Sequence, residues 1–167
     1  MFAWNEERQG EILNHLCRSA PFAAAEIRGD RLHKDLIGTV SFYPVDDGTL
    51  VVCAAEGLPF KSGLCGGGVF GFHIHSGERC VGSEEDPFAA AGGHYNPNDC
   101  EHPFHAGDLP PLFSNHGFAW QAVFTDRFKV QDIIGKTVIV HSMSDDFRTQ
   151  PAGDSGSKIA CGVIARL

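Results

Sequence analysis

Residues 92–109 read GGHYNPNDCEHPFHAGDL, with three histidines, a cysteine and three carboxylates but few side chains that could fill a core. His94, His102, His105 and Asp108 are spaced eight, three and three apart, with Pro97, Pro103 and Gly107 between and beside them. Proline and glycine at those places argue against a helix and for a folded-back loop that aims ring nitrogens and a carboxylate at one point. Three imidazoles and a carboxylate make a tetrahedral zinc site, since zinc takes four N, S or O ligands without a geometric preference of its own. Cys100 offers a rival scheme in which a thiolate replaces one histidine. Upstream, GFHIHSGERC carries His73 and His75 inside an apolar strand pattern. Side chains two apart on a strand share a face, so both imidazoles point one way and Ile74 points to the core. Such a pair can grip one metal ion. Downstream, His141 ends the run KTVIVH and is followed by Asp145 and Asp146.

The elements that would position these groups are mostly strands. AAAEIRGD, IGTVSFYPVDDG, TLVVCAAEG, VFGFHIHS, FAWQAVFTD, KTVIVHS and KIACGVIARL are runs of β-branched and aromatic residues, most of them bounded by Gly, Asp or Pro. They predict an antiparallel sandwich or flattened Greek-key barrel. DDGT at 46–49 predicts a tight turn in which Asp-Gly supplies the positive φ of a two-residue hairpin. Two connections, 76–115 and 142–157, are too long for hairpins, and loops of that length in a small domain are usually functional. Residues 5–17 place Ile12, Leu13 and Leu16 at helical spacing, which predicts a short N-terminal amphipathic helix.

Composition narrows the function classes. The chain has 167 residues, 43% hydrophobic and 20% charged, enough for one ordinary core. Thirteen Lys and Arg against twenty-one Asp and Glu give a formal charge of −8 with no basic stripe, so no nucleic-acid partner is expected. Neither a signal peptide nor an apolar run of membrane-spanning length is evident, which suggests a cytoplasmic protein with no membrane partner, periplasmic and extracellular placements staying open. Six cysteines are too few for a disulfide-dense scaffold. GGGVFG at 66–71 matches G-x-G-x-x-G in form only, because the run continues as a strand instead of opening a helix. His15, His33 and His116 stand outside any grouping and are expected at the surface.

In order, GFHIH, AGGHYNP, HAGDL, VIVH with DD shortly after, and GSKIACGVI resemble the copper/zinc superoxide dismutases, from about Ala24 to the end of the chain. The resemblance implies an all-β fold, a Greek-key barrel of about eight antiparallel strands with two long functional loops, over residues 21–167 after an extension over 1–20. It implies His73, His75, His94 and His141 as copper ligands, and His94, His102, His105 and Asp108 as zinc ligands, with His94 bridging. Asp145 would hydrogen-bond ligand histidines of both metals, the kind of outer partner that sets tautomer and orientation. Cys80 and Cys161 would form a disulfide, as in bacterial members. The implied reaction is disproportionation of superoxide to dioxygen and hydrogen peroxide, with His94 passing on a proton. A homodimer is one assembly the resemblance allows, many members being dimers that pair through different surfaces in bacteria and eukaryotes, so the oligomeric state stays open.

The physics suits that division, since four imidazoles favour copper and a His3Asp set favours redox-silent zinc. A negative net charge does not oppose an anionic substrate, because distant charges are screened beyond roughly 8 Å while a cleft focuses its own field, superoxide dismutase being the familiar example. One departure bears on catalysis: where the family places an arginine beside copper, this chain has Lys158. Lysine keeps the charge but loses the planar fork that docks a small anion with two hydrogen bonds. His94 and Lys158 are therefore the expected catalytic residues. Two alternatives remain: a dismutase-like protein with structural zinc and little activity, which Lys158 favours, and a copper buffer, which the scarcity of methionine disfavours. Cys65 and Cys100 are candidates for a second bridge.

Overall fold

A computed structural model describes residues 19–63 and 66–167. The helix expected over 5–17, His15, Cys17 and Cys65 lie outside the described residues. The described chain forms nine β-strands and two short 3-10 turns: β1 (Ala23–Gly29), β2 (Ile37–Val45), β3 (Gly48–Glu56), β4 (Gly67–His75), β5 (Asp108–Asn115), β6 (Ala119–Thr125), β7 (Thr137–His141), β8 (Lys158–Val163) and β9 (Ala165–Arg166). The ladders are antiparallel and run in the order β5-β4-β7-β8-β1-β2-β3-β6, with β9 pairing β1. An Asn115–Phe118 bridge turns β5 into β6, so the two ends of the sheet meet and the barrel nearly closes.

Strand alternation places the core. In β1, Ala23, Ala25 and Ile27 are buried while Glu26 is exposed. Phe42, Val40, Phe72, Ile74, Leu112, Val138 and Val140 join them in one interior cluster. Each large apolar side chain withdrawn from water in this way is worth about 1.5–3 kcal/mol. A second, smaller cluster of Phe88, Ala91, Ile139 and Cys161 lies apart from it and seals one stretch of the 76–107 loop onto the sheet.

Three expectations needed correction. The run DLPPLFSN, predicted as part of a long loop, is strand β5. Pro110 and Pro111 mask it in the sequence, and they are tolerated because β5 ladders only to β4 and has a side that owes no hydrogen bonds. The first long connection is therefore 76–107. KIACGVIARL is two strands, broken where the Ile164 N–H donates to the Lys136 carbonyl, 2.8 Å away, and leaves the β8 ladder. In the β2–β3 hairpin Val45 pairs with Gly48, so the loop is Asp46-Asp47, and the positive φ of 47° belongs to Asp46 instead of the glycine. The second connection, 142–157, lies where it was expected, between β7 and β8. GGGVFG runs into β4, as its strand reading requires.

Candidate metal centre

Phe72 and Ile74 point into the core, which turns His73 and His75 to the opposite face of β4. That face is covered by loops, leaving the two histidines 0% and 2% exposed. On β7, Val138 and Val140 take the core positions, so His141 emerges on the same outer face beside them. The 76–107 loop returns antiparallel to the end of β4: Ser76 N–H donates to Gly93 O (2.9 Å), Tyr95 N–H to Ile74 O (2.8 Å), and Ile74 N–H to Gly107 O (2.9 Å). His94 is thereby bridged opposite His75. Any side chain at Gly107 would run into the Ile74 carbonyl, so this close pass requires glycine.

Two sets of ligand-type atoms result, each gathered within 4.8 Å: His73, His75, His94 and His141, and His94, His102, His105 and Asp108. His94 is common to both. Its ring centroid is 4.0 Å from that of His73 on one side and 5.5 Å from that of His105 on the other.

The proton positions follow from what faces each ring. Nε2–H of His73 donates to Asp145 Oδ2 (2.7 Å) and Nε2–H of His102 to Asp145 Oδ1 (2.9 Å). Nδ1–H of His75 donates to the Gly92 carbonyl (2.7 Å) and that of His141 to the Gly156 carbonyl (3.2 Å). Neutral imidazole carries one proton, so the other nitrogen of each of these rings presents a lone pair. Those lone pairs converge. His75 Nε2 and His141 Nε2 face each other at 3.2 Å with no proton left to share. His73 Nδ1, His94 Nε2 and His102 Nδ1 are buried and have no hydrogen-bond partner. His102 Nδ1 does lie 3.0 Å from Asp108 Oδ2, but this contact pairs a lone pair with a carboxylate oxygen, which is stable only around a cation. Buried acceptors aimed at one another are costly unless a positive charge sits among them, so the residues present fit two metal ions.

The model of the copper/zinc superoxide dismutase (SODC) family matches residues 36–164. The chain belongs to that family. Superoxide dismutase [Cu-Zn] of Deinococcus radiodurans is 31% identical over 172 residues, covering 91% of this chain and 91% of that protein. The Brucella abortus superoxide dismutase [Cu-Zn] is 35% identical over 134 residues, 70% of this chain and 78% of that one. Among solved structures, the Cu/Zn superoxide dismutase from Brucella abortus superposes with a TM-score of 0.71 at 28% identity, covering 84% of this chain and 98% of that one. A double mutant of a SOD-like protein from Bacillus subtilis gives 0.70 at 30% identity, covering 85% and 96%.

The electrostatics of this member of the copper/zinc superoxide dismutase family differ between the two sets. Burial, then repulsion from His141 and His94, holds His75 well below the ordinary histidine range, and burial with the His73 charge brings His141 down to about 3. Burial also lowers His73, against the pull of its Asp145 hydrogen bond. The lowering favours the neutral form of all three rings, the form that can ligate. Burial by itself would raise Asp145, but hydrogen bonds from His73, the Phe147 N–H and His102 overcome it and hold the carboxyl well below the usual carboxylate range. Asp108 is lowered in the same way, burial being outweighed by His94, His102 and His105.

Cys80 and Cys161 form a disulfide with Cα atoms 5.6 Å apart, joining the 76–107 loop to β8. Cys100 is exposed with a free thiol, and its Sγ faces the Asn98 carbonyl at 3.9 Å, so the thiolate scheme for zinc is excluded by direction. The pairing with Cys65 finds no support in that free thiol. Asp146 is exposed and ties up the 146–149 turn through Arg148 N–H, Thr149 N–H and Thr149 Oγ1. His33 bonds Asp30 at 2.7 Å, and His116 packs edge-on against Phe60, both away from the centre.

Several positioning residues carried no signal in the sequence. Arg127 Nη1 donates to the carbonyls of Pro103 (3.1 Å), His105 (3.2 Å) and Asp108 (3.4 Å), gathering the backbone of the zinc-type loop. Gln150 donates to His102 O (2.7 Å) and accepts from His102 N–H (3.0 Å), stitching the two long loops together. Gly153 has φ 66°, and a side chain there would strike the Asp145 carboxylate. Each looks like an ordinary loop residue until the fold brings its partner to it.

Proposed function

We propose that the protein is a superoxide dismutase, an oxidoreductase that converts two superoxide anions and two protons to dioxygen and hydrogen peroxide, with copper and zinc as cofactors. His73, His75, His94 and His141 would hold copper; His94, His102, His105 and Asp108 would hold zinc. Bound copper supplies the one-electron exchange with superoxide. The observation that carries the reading is the gathering of two adjoining sets of ligand-type atoms with His94 common to both, in which His73 Nδ1, His94 Nε2 and His102 Nδ1 are buried without a hydrogen-bond partner. The family match supplies the reaction.

The protein's own groups do the rest. Asp145 accepts a proton-bearing nitrogen from a ring on each side and so couples the two sets in one orientation. His94 keeps Nδ1 against Asp108 Oδ1 at 2.7 Å while its Nε2 has no partner, so that nitrogen is placed to take up a proton and hand it on toward the open cavity. Lys158 lines that cavity and can offer ammonium hydrogens to an anion that reaches it. We assign His94 and Lys158 as the catalytic residues on these grounds.

The catalytic domain we propose is 21–167, preceded by an extension over 1–20. No helix among the described residues is long and apolar enough to cross a membrane. The Cys80–Cys161 bridge favours an oxidising compartment such as a periplasm over the cytoplasm. A homodimer is the proposed assembly, with Phe113 on β5 and Trp120 on β6 exposed as apolar contacts; sedimentation velocity decides it.

Purification followed by measurement of bound copper and zinc, with superoxide removal assayed before and after copper reconstitution, tests the reading. Activity that rises with copper and exceeds that of free copper is expected. Full occupancy by both metals without such activity would leave the alternative of a dismutase-like protein with structural zinc.

A further inference from the structure

The candidate copper side opens onto a cavity of about 580 Å³ lined by His75, His94, His141, Glu85, Asp86 and Lys158, among others. Lys158 is the one lysine or arginine among the described lining residues, and its Cα pairs with His141 across the β7–β8 ladder. Its ammonium is already engaged. Nζ donates to Asp86 Oδ2 at 2.7 Å, the two side chains being 16% and 45% exposed. Asp86 is held on its own account: Oδ1 accepts from Phe88 N–H (3.2 Å), its N–H donates to Ser83 Oγ (3.2 Å), and its carbonyl accepts from Ser83 N–H (3.0 Å). Phe88 is packed with Cys161 and Ile139, and the Cys80–Cys161 bridge ties the same loop to β8. The carboxylate thus sits in a frame, and the lysine reaches to it.

We propose that Asp86 sets how strongly the cavity takes up small anions, by holding Lys158 in an ion pair that cancels most of its attraction. The inference rests on the copper-side reading of His75 and His141 and concerns the anion that reacts there. An ammonium beside a carboxylate casts the field of a dipole, which falls off faster with distance than that of a single charge. Glu85 adds a further negative charge to the same lining. Two of the three ammonium hydrogens stay available, so an anion that reaches the metal can still be bonded. Its capture from solution is weak. Asp86 is a positioning residue here, acting on the substrate through Lys158.

Azide, a small monoanion, is the probe, with its binding to the copper-loaded protein read from the copper absorption spectrum. In the unmodified protein its Kd should shift by less than about twofold between roughly 10 and 150 mM salt, because a neutral pair offers little field to screen. Asp86→Asn keeps Oδ1 for Phe88 and removes the charge. It should tighten azide by about fivefold at low salt, raise kcat/KM for superoxide in parallel, and lose both gains as salt rises. Lys158→Gln should weaken azide, and Asp86→Asn made in that background should have little effect. A steep salt dependence in the unmodified protein, no gain or a loss with Asp86→Asn, or a gain undiminished without Lys158 would each overturn the proposal. The salt titration depends on no variant folding. Azide binding is read with or without turnover, so an inactive protein that binds azide as expected refutes the dismutase reading alone.

Discussion

The two halves of the centre are built differently. Of the proposed copper set, His73, His75 and His141 stand on β4 and β7, strands whose other faces are locked into the barrel interior. Of the proposed zinc set, His102 and His105 stand on a loop, and only Asp108 stands on a strand, opening β5 beside the core residue Leu109. Backbone ladders orient the first set; hydrogen bonds donated by Arg127 and Gln150 brace the loop of the second, and Asp145 accepts one from a ring of each set. The difference in support goes with a difference in electrostatics, since burial and mutual repulsion depress the copper-side rings while the zinc side carries its own carboxylate. On the proposed assignment, the site that would change oxidation state is carried mainly on strands of the barrel, and the site that would keep one charge is carried mainly on a loop that its ion would help to hold.

The largest expected effect separates the halves outright. His75→Ala should abolish copper-dependent superoxide removal, a loss exceeding the roughly 100-fold that removal of an outer partner costs, while zinc content and the far-UV spectrum are kept. Loss of zinc along with copper would show that the strand-borne set is not independent of the loop.

Acid should attack the strand-borne set in the metal-free protein. His73, His75 and His141 are lowered in the folded state, whereas in the unfolded chain they titrate near 6.5. Below about pH 6.5 the unfolded chain therefore binds protons that the folded one refuses, and stability falls with falling pH until His141 titrates near 3. Asp145 and Asp108, also lowered, add their loss below the ordinary carboxylate range. Urea unfolding at pH 7, 6, 5 and 4 should show a monotonic fall, several kcal/mol in order of magnitude by pH 4. A flat profile would mean that these rings are not held neutral.

Asp145→Asn touches both halves. One imidazole nitrogen would then face an amide N–H₂ instead of an acceptor, and affinity for copper and for zinc should each drop by about 10–100-fold in competition titrations. A drop confined to one metal would reduce Asp145 to a partner of that side only. Smallest is Arg127→Gln, on an exposed side chain outside the ligand sets. It should weaken zinc retention by about two- to fivefold, with copper binding unchanged, since the bonds it removes, each worth about 0.5–1.5 kcal/mol, brace the loop on an exposed side and most of that loss falls equally on the loaded and the metal-free loop. Equal weakening of both metals would mean the loop also braces the strands.

Much of this centre was legible before any fold was described, because ligand chemistry is carried by residue type and strand faces alternate with period two. HIH at 73–75 declared a common direction for His73 and His75, and the loop spacing declared a cation site. What local pattern could not supply were contacts between segments far apart in the chain. Arg127 follows Asp126 in a plain turn, Gln150 precedes a proline, and Asp86 is one of several acidic residues in a polar stretch. β5 was hidden for a related reason: Pro110 and Pro111 disqualify a central strand, and only the sheet order reveals an edge that tolerates them.

By itself, the sequence determined the ligand types, the strand faces that carry half of them, and the family whose motifs they follow. The resemblance implied a shared His94 and a Cys80–Cys161 bridge, and tertiary structure brings both about across long stretches of chain; it alone decided that Lys158 reaches the cavity with its charge already answered by Asp86. The physical reason is range. Backbone alternation is a property of neighbours, whereas metal sites and ion pairs form between atoms a few ångströms apart that the chain separates by tens of residues.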